Sequence, residues 1–163
     1  MNNYCIKPAT AEHVSDIHRL TLEGILIWGS DITENIKPWV DTLTEASFLE
    51  KIQSDDYEFF VAEDDAGKVI GTINMNTATR HMSGLYCDVR GMGLGTALLN
   101  RTFEVASDYG FEDFECEIRE ENIPSISLMT KYGAEKTGAN PIAGVNYVIY
   151  TFPQSSFVSE VAA

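Results

Sequence analysis

Apolar residues recur along the chain with two spacings, one of two residues and one of three to four, and the exchange between them lays out a fold. Residues 4–7 (Tyr-Cys-Ile-Lys) read as a short strand closed by Pro8. Thr10 suits a helix N-cap and Glu12 a first turn, and Val14, Ile17, Thr21, Ile25 and Trp28 then share one helical face. Residues 29–43, with Gly29-Ser30-Asp31 and Lys37-Pro38-Trp39, read as loop. Thr44 opens a second helix that buries Phe48, Leu49 and Ile52. Two strands follow, residues 57–63 and 68–75, joined as a hairpin by Asp64-Asp65-Ala66-Gly67.

Residues 79–89 alternate as a further strand. Strict alternation puts Thr79, His81, Ser83, Leu85, Cys87 and Val89 on one face, and Arg80, Met82, Gly84, Tyr86 and Asp88 on the other. A glycine-rich turn leads into a helix whose Leu99, Phe103 and Ala106 share a face and whose end is marked by Gly110. Phe114, Cys116 and Ile118 alternate with Glu115, Glu117 and Arg119, a strand with one wet or ligand-facing side. Pro124 starts a short helix, Gly133 stops it, and residues 145–152 form the last strand. The pattern predicts one mixed α/β domain over residues 1–152 and a Ser/Ala-rich tail over residues 153–163.

Composition narrows the class. The chain has 163 residues, 44% hydrophobic and 22% charged, which suits a single globular domain. Its 25 acids against 11 bases give a formal charge of −14, which argues against general nucleic-acid binding and favours a cationic partner. Residues 1–79 carry a net −9 and residues 80–136 only −4, so the second half is the better host for an anion. The N-terminus lacks an apolar signal core, and the longest apolar run, Ile25-Leu26-Ile27-Trp28, is far too short for a membrane span. Cys5, Cys87 and Cys116 lack CxxC spacing and read as free thiols; the expected setting is cytoplasmic, with neither membrane nor nucleic acid as partner. No residues have metal-ligand spacing: His13 and His18 are five apart and do not share a helix face.

The turn Arg90-Gly91-Met92-Gly93-Leu94-Gly95-Thr96 joins a strand to a helix N-terminus. Glycines let backbone N–H groups approach a ligand closely, and the helix N-terminus adds partial positive charge, so the place suits a phosphate or pyrophosphate. Arg90 adds a full charge. A tight structural turn explains the same glycines without a ligand. A Rossmann fingerprint would need a third glycine at Thr96, and a P-loop would need a lysine beside Thr96.

This segment resembles the acetyl-coenzyme A motif of the GNAT N-acetyltransferase superfamily (Q/R-x-x-G-x-G/A). A second stretch, Ile118-Arg119-Glu120-Glu121-Asn122 followed by Ser125, Leu128, Lys131 and Gly133, is similar to the family's next strand and helix. The resemblance covers roughly residues 4–152. It implies a mixed, mostly antiparallel sheet of about six or seven strands with about four flanking helices, splayed between strands 4 and 5 to hold a thioester. It implies acetyl-CoA as co-substrate, without a metal, and an amine of a small molecule or peptide as acceptor. By position, Tyr86, Cys87, Asp88 and Val89 would meet the acetyl and pantetheine groups through their backbone. Gly91, Met92, Gly93, Leu94, Gly95 and Thr96 would take the pyrophosphate beside Arg90, and Asn122, Ser125 and Lys131 would line the pantetheine and nucleotide side. Dimers are common in the family.

For the general base, the resemblance points to His81, six residues before Cys87, with Asp88, Glu117 or a water relay as alternatives. If Val89 rather than Cys87 is the family's strand valine, the base position falls on Ser83. The usual general-acid tyrosine is replaced by Met129, and Tyr132, one turn on, is the substitute candidate. The stretch before Arg90 is shorter than the family's. A Cys87 nucleophile is a minor alternative to direct attack in a ternary complex. The acceptor side would draw on Trp28, Asp31, Glu34, Trp39, Asp41, Tyr147 and Tyr150, aromatic and acidic groups that suit a cationic amine. A non-catalytic acyl-CoA-binding module, and an unrelated nucleotide-binding domain, are the competing readings.

Overall fold

The structure is a computed structural model and describes residues 3–27 and 34–158. Trp28 and Asp31, expected on the acceptor side, lie outside the described residues. The strands are β1 (Tyr4–Pro8), β2 (Tyr57–Asp64), β3 (Val69–Asn76), β4 (His81–Cys87), β5 (Asp113–Arg119), β6 (Glu135–Ile142) and β7 (Val145–Pro153). The α-helices are α1 (Val14–Leu26), α2 (Lys37–Val40), α3 (Glu45–Gln53), α4 (Leu94–Asp108) and α5 (Ile123–Lys131). All seven strands join one sheet in the order β1-β2-β3-β4-β5-β7-β6. Every neighbouring pair is antiparallel except β4 and β5.

The sheet separates two apolar cores. One holds α4 and α5 against Ile73, Met75, Met82, Phe114, Cys116, Ile118 and Phe152; the other holds α1 and α3 against Phe59, Val61 and Val69. β3 is buried at seven of its eight positions because helices cover both of its faces. Gly71 lets α4 settle on the sheet: a Cβ there would stand 3.0 Å from methyls of Leu94 and Leu98. Thr44 caps α3 by accepting from the Ser47 N–H at 3.1 Å.

Four expectations need correction. Residues 37–40, read as loop, form a one-turn helix with Pro38 in its first turn. Residues 135–142, to which the pattern assigns no element, form β6, which pairs with β7 at the edge of the described sheet and carries Pro141. The segment from Pro153 is no loose tail as far as Val158. Gln154 Nε2 donates to the Phe111 carbonyl at 3.2 Å, and the Phe157 ring packs 5.4 Å from that of Phe114.

The fourth correction concerns β4. Gly84 and Leu85 together face the single residue Ile73 of β3, because the register passes from Asn74↔Ser83 to Thr72↔Tyr86. This is a β-bulge, and Gly84 supplies its φ of +68°. An extra residue reverses the alternation beyond it. Met82, Leu85, Cys87 and Val89 therefore face α4, whereas Tyr86 packs against the core under α1. His81 does not share a face with Cys87.

Candidate active site

β4 and β5 are held together by one register pair, His81↔Glu115. Beyond it the strands run parallel and part, so the sheet is split from that point to the ends of both strands. The bulge at Gly84 and Leu85 lies just past the apex, where backbone groups turned from the β3 ladder become available to a ligand. On the α1 side, Ser83 Oγ donates to the buried Asn74 Oδ1 at 3.1 Å. His81 Nδ1 lies 3.5 Å from Glu115 Oε1, with 29% of the His81 side chain exposed.

The turn after β4 is set by its glycines. Gly91 has φ +78° and Gly93, the N-cap of α4, φ +70°. A Cβ built on either meets nothing within 4 Å, so packing does not demand glycine there; open space lies in front of the turn. Among the described residues, no hydrogen bond occupies the N–H groups of residues 91–96; the first of α4 to be satisfied is that of Ala97, by Gly93 O at 3.0 Å. These six N–H groups, at a helix N-terminus beside the exposed Arg90, form a cradle fit for a pyrophosphate. Leu94 anchors the helix start in the core, and Gly95 admits Leu128 of α5, whose Cδ2 would be 3.2 Å from a Cβ. Thr96 is half-buried in the same turn. The Met92 carbonyl is approached at 3.5 Å by the Tyr4 hydroxyl.

The structure separates the remaining sequence candidates. Asp88 is tied down: its N–H donates to Ile70 O at 2.8 Å, and its carboxylate meets Lys68 at 3.2 Å and Arg19 of α1 at 3.4 Å. The Cys87 thiol is pushed up to about 11 by burial, against a smaller opposing pull from Arg90, and Cys116 is pushed up to about 12 by burial. Neither is a thiolate at neutral pH. Asn122 caps α5, accepting from the Ser125 N–H at 3.3 Å. Tyr132 packs edge-on to Phe103, 6.4 Å between centroids, and Lys131 Nζ lies 5.6 Å from its ring. Met129 is fully in the core.

On the α1 side of the split, the Tyr86 ring lies against Gly24, where any Cβ would collide with ring carbons Cδ1 and Cε1. Burial, and then the neighbouring Tyr147, pushes the Tyr86 phenol up to about 12. Tyr147 is opposite Arg119 in the β5–β7 register, and Asn140 Nδ2 donates to Glu117 at 3.3 Å. Asp41 is paired with Lys37 at 2.7 Å, Glu34 and Trp39 are exposed, and Tyr150 lies in the core on the α4 side, not on the acceptor face. Sequence reading missed Arg19, Asn74 and Asn140, none of which carries a motif. It also missed the bulge, which an isolated glycine inside a strand does signal.

Among the described residues, no group of three or more His, Cys, Asp or Glu converges as a metal site, and no helix is long and apolar enough to cross a membrane. A sequence profile of the acetyltransferase (GNAT) family matches residues 27–134. The fold is shared with the PaiA N-acetyltransferase of Thermoplasma acidophilum, solved in complex with coenzyme A (TM-score 0.75, 18% identity, covering 92% of this chain and 98% of that one). It is also shared with a spermidine N-acetyltransferase, SpeG, of Vibrio cholerae (TM-score 0.72, 15% identity, 99% and 100% covered). A ribosomal-protein alanine N-acetyltransferase of Escherichia coli is similar too (TM-score 0.72, 16% identity, 98% and 99% covered). The profile covers about two thirds of the sequence, and the fold it implies is the one described above, a sheet split after one rung: the chain belongs to the acetyltransferase (GNAT) family.

Proposed function

We propose that the protein moves the acetyl group of acetyl-CoA to a primary amine by direct attack within a ternary complex, and that residues 1–152 carry the whole reaction. The observation that carries this reading is the open split between β4 and β5 with free N–H groups at its mouth. Gly91 to Thr96 hold the pyrophosphate with Arg90 beside it, and Asn122, Ser125 and Lys131 flank the pantetheine and nucleotide. The backbone of the bulged strand, from Gly84 to Val89, faces the thioester and supplies the N–H that stabilises the developing oxyanion.

The amine nitrogen forms the new bond to the carbonyl carbon, and the C–S bond breaks with its electron pair leaving on sulfur. His81 receives the ammonium proton and passes it to water; its Nδ1 side faces Glu115, which leaves Nε2 as the accepting nitrogen. Solvent protonates the thiolate, because Met129 has no proton to give and the Tyr132 ring is committed to packing. Cys87 forms no acyl intermediate, since burial keeps its thiol protonated.

The test is free-thiol release from acetyl-CoA across a panel of polyamines, lysine derivatives and peptides, with His81→Ala alongside. Thiol release matched by N-acetyl product, with kcat/KM reduced about 100-fold in His81→Ala, is the expected result. Unchanged kcat/KM in that variant at every pH removes His81. Coenzyme binding without turnover on any amine would favour a non-catalytic acyl-CoA-binding module.

A further inference from the structure

We propose that Glu117 is the acceptor anchor, which makes the enzyme select an aliphatic amine carried as an ammonium ion and seated between Tyr86 and Tyr147. This rests on the reading of the β4–β5 split as the transfer site. Along β5, Phe114, Cys116 and Ile118 point into the core under α4, so Glu115, Glu117 and Arg119 point to the opposite side. Glu115 stands at the apex of the split. Glu117 is the next residue on that side, about 7 Å further along the strand. Counted from the His81↔Glu115 pair, it is level with Ser83, beside the bulge.

The charges on this side are spent unevenly. Glu115 faces His81 at 3.5 Å, and Glu121 accepts from Arg119 Nε at 3.1 Å. Among the described residues, Glu117 accepts hydrogen bonds from the Asn140 amide only, at 3.3 and 3.4 Å, and no Lys, Arg or His is within ion-pair distance of it. A half-buried carboxylate, oriented by a neutral donor and given no cation, gains most from a cation that arrives from outside. Asn140 faces Tyr147 in the β6–β7 register, which places that ring beside the anchor. Tyr86 closes the slot from β4, its ring backed by Gly24. Two neutral phenol rings beside one carboxylate suit a slim alkylammonium chain.

The experiment separates this inference from the reaction itself. 1,5-Diaminopentane is titrated by calorimetry into the wild-type protein saturated with coenzyme A, and into Glu117→Gln, Glu117→Asp and the surface control Glu120→Gln. The expected result is diamine binding weakened about 10- to 100-fold in Glu117→Gln, partly restored in Glu117→Asp, and unchanged in Glu120→Gln. Coenzyme A affinity and melting temperature stay at the wild-type value, and in turnover KM for diamine rises more than kcat falls. Equal diamine affinity in wild type and Glu117→Gln, or no diamine binding by the wild type, overturns the anchor even if other amines are acetylated. Diamine binding that depends on Glu117 without acetyl transfer would keep the anchor and sink the proposed reaction.

Discussion

Replacing Gly93 tests the pyrophosphate cradle most cleanly, because its costs can be separated in advance. Gly93 has φ +70° and ψ +16°, and a Cβ there meets nothing within 4 Å. Gly93→Ala therefore carries only backbone strain, about 1–2 kcal/mol, with no steric clash. For a chain of this size that lowers the melting temperature by about 2–8 °C. Gly93→Asp adds a carboxylate among the N–H groups of residues 91–96. A unit charge about 4 Å from a phosphate charge costs about 1 kcal/mol in water and about 4 kcal/mol near a protein surface. The expected penalty on acetyl-CoA binding is thus about 5- to 1,000-fold beyond that of Gly93→Ala. Calorimetric titration of both variants, with their melting temperatures, reads the two contributions separately. Equal acetyl-CoA affinity in Gly93→Ala and Gly93→Asp, both folded, would refute the placement of the pyrophosphate at this helix start.

Three further outcomes follow from the packing and the titrating groups. Gly24→Val drives its side chain into the Tyr86 ring and should cost about 1–3 kcal/mol, read by thermal unfolding; a wild-type melting temperature would mean the ring does not rest on α1. Alkylation at neutral pH, mapped by mass spectrometry, should modify the exposed Cys5 well before Cys87 and Cys116, whose thiols burial raises; early Cys87 labelling would contradict its place in the core. Hydrogen bonds from Lys7, and then His13, hold the Glu63 carboxyl below its ordinary value. Its stabilisation is then full above the unfolded carboxylate range and disappears as pH falls through the lower folded value. Glu63→Gln should lower the melting temperature at pH 7 more than at pH 3, and an equal loss at both would show that this ionisation contributes nothing.

Much of the layout was legible because burial enforces periodicity. α1, α3, α4 and β5 each have one face against a core, and their apolar spacing records it; the β2–β3 hairpin is apolar on both faces because a core lies on each side of it. β6 left no such trace: its residues are exposed or half-exposed, and Gly138 and Pro141 interrupt the run. α2 is a single turn held by local hydrogen bonds, too short to show a period. In β4 the pattern and the structure differ in phase: plain alternation through Gly84 keeps Tyr86 with Met82 and His81 with Cys87, whereas the bulge there moves Tyr86 to the α1 side and parts His81 from Cys87. The glycine cradle was readable because its chemistry lies in consecutive backbone groups. The Glu117–Asn140 contact was not, because 23 residues separate partners that only the sheet order brings together.

The most direct test of the account is a single-turnover reaction of the protein with acetyl-CoA and an aliphatic amine, followed by mass spectrometry of protein, coenzyme and amine. Direct transfer gives N-acetylated amine in step with free coenzyme A, and no acetyl group on the protein at any time, because Cys87 takes no part. Acetyl label on Cys87, or coenzyme A released with no acetylated amine, would contradict direct transfer across the β4–β5 split.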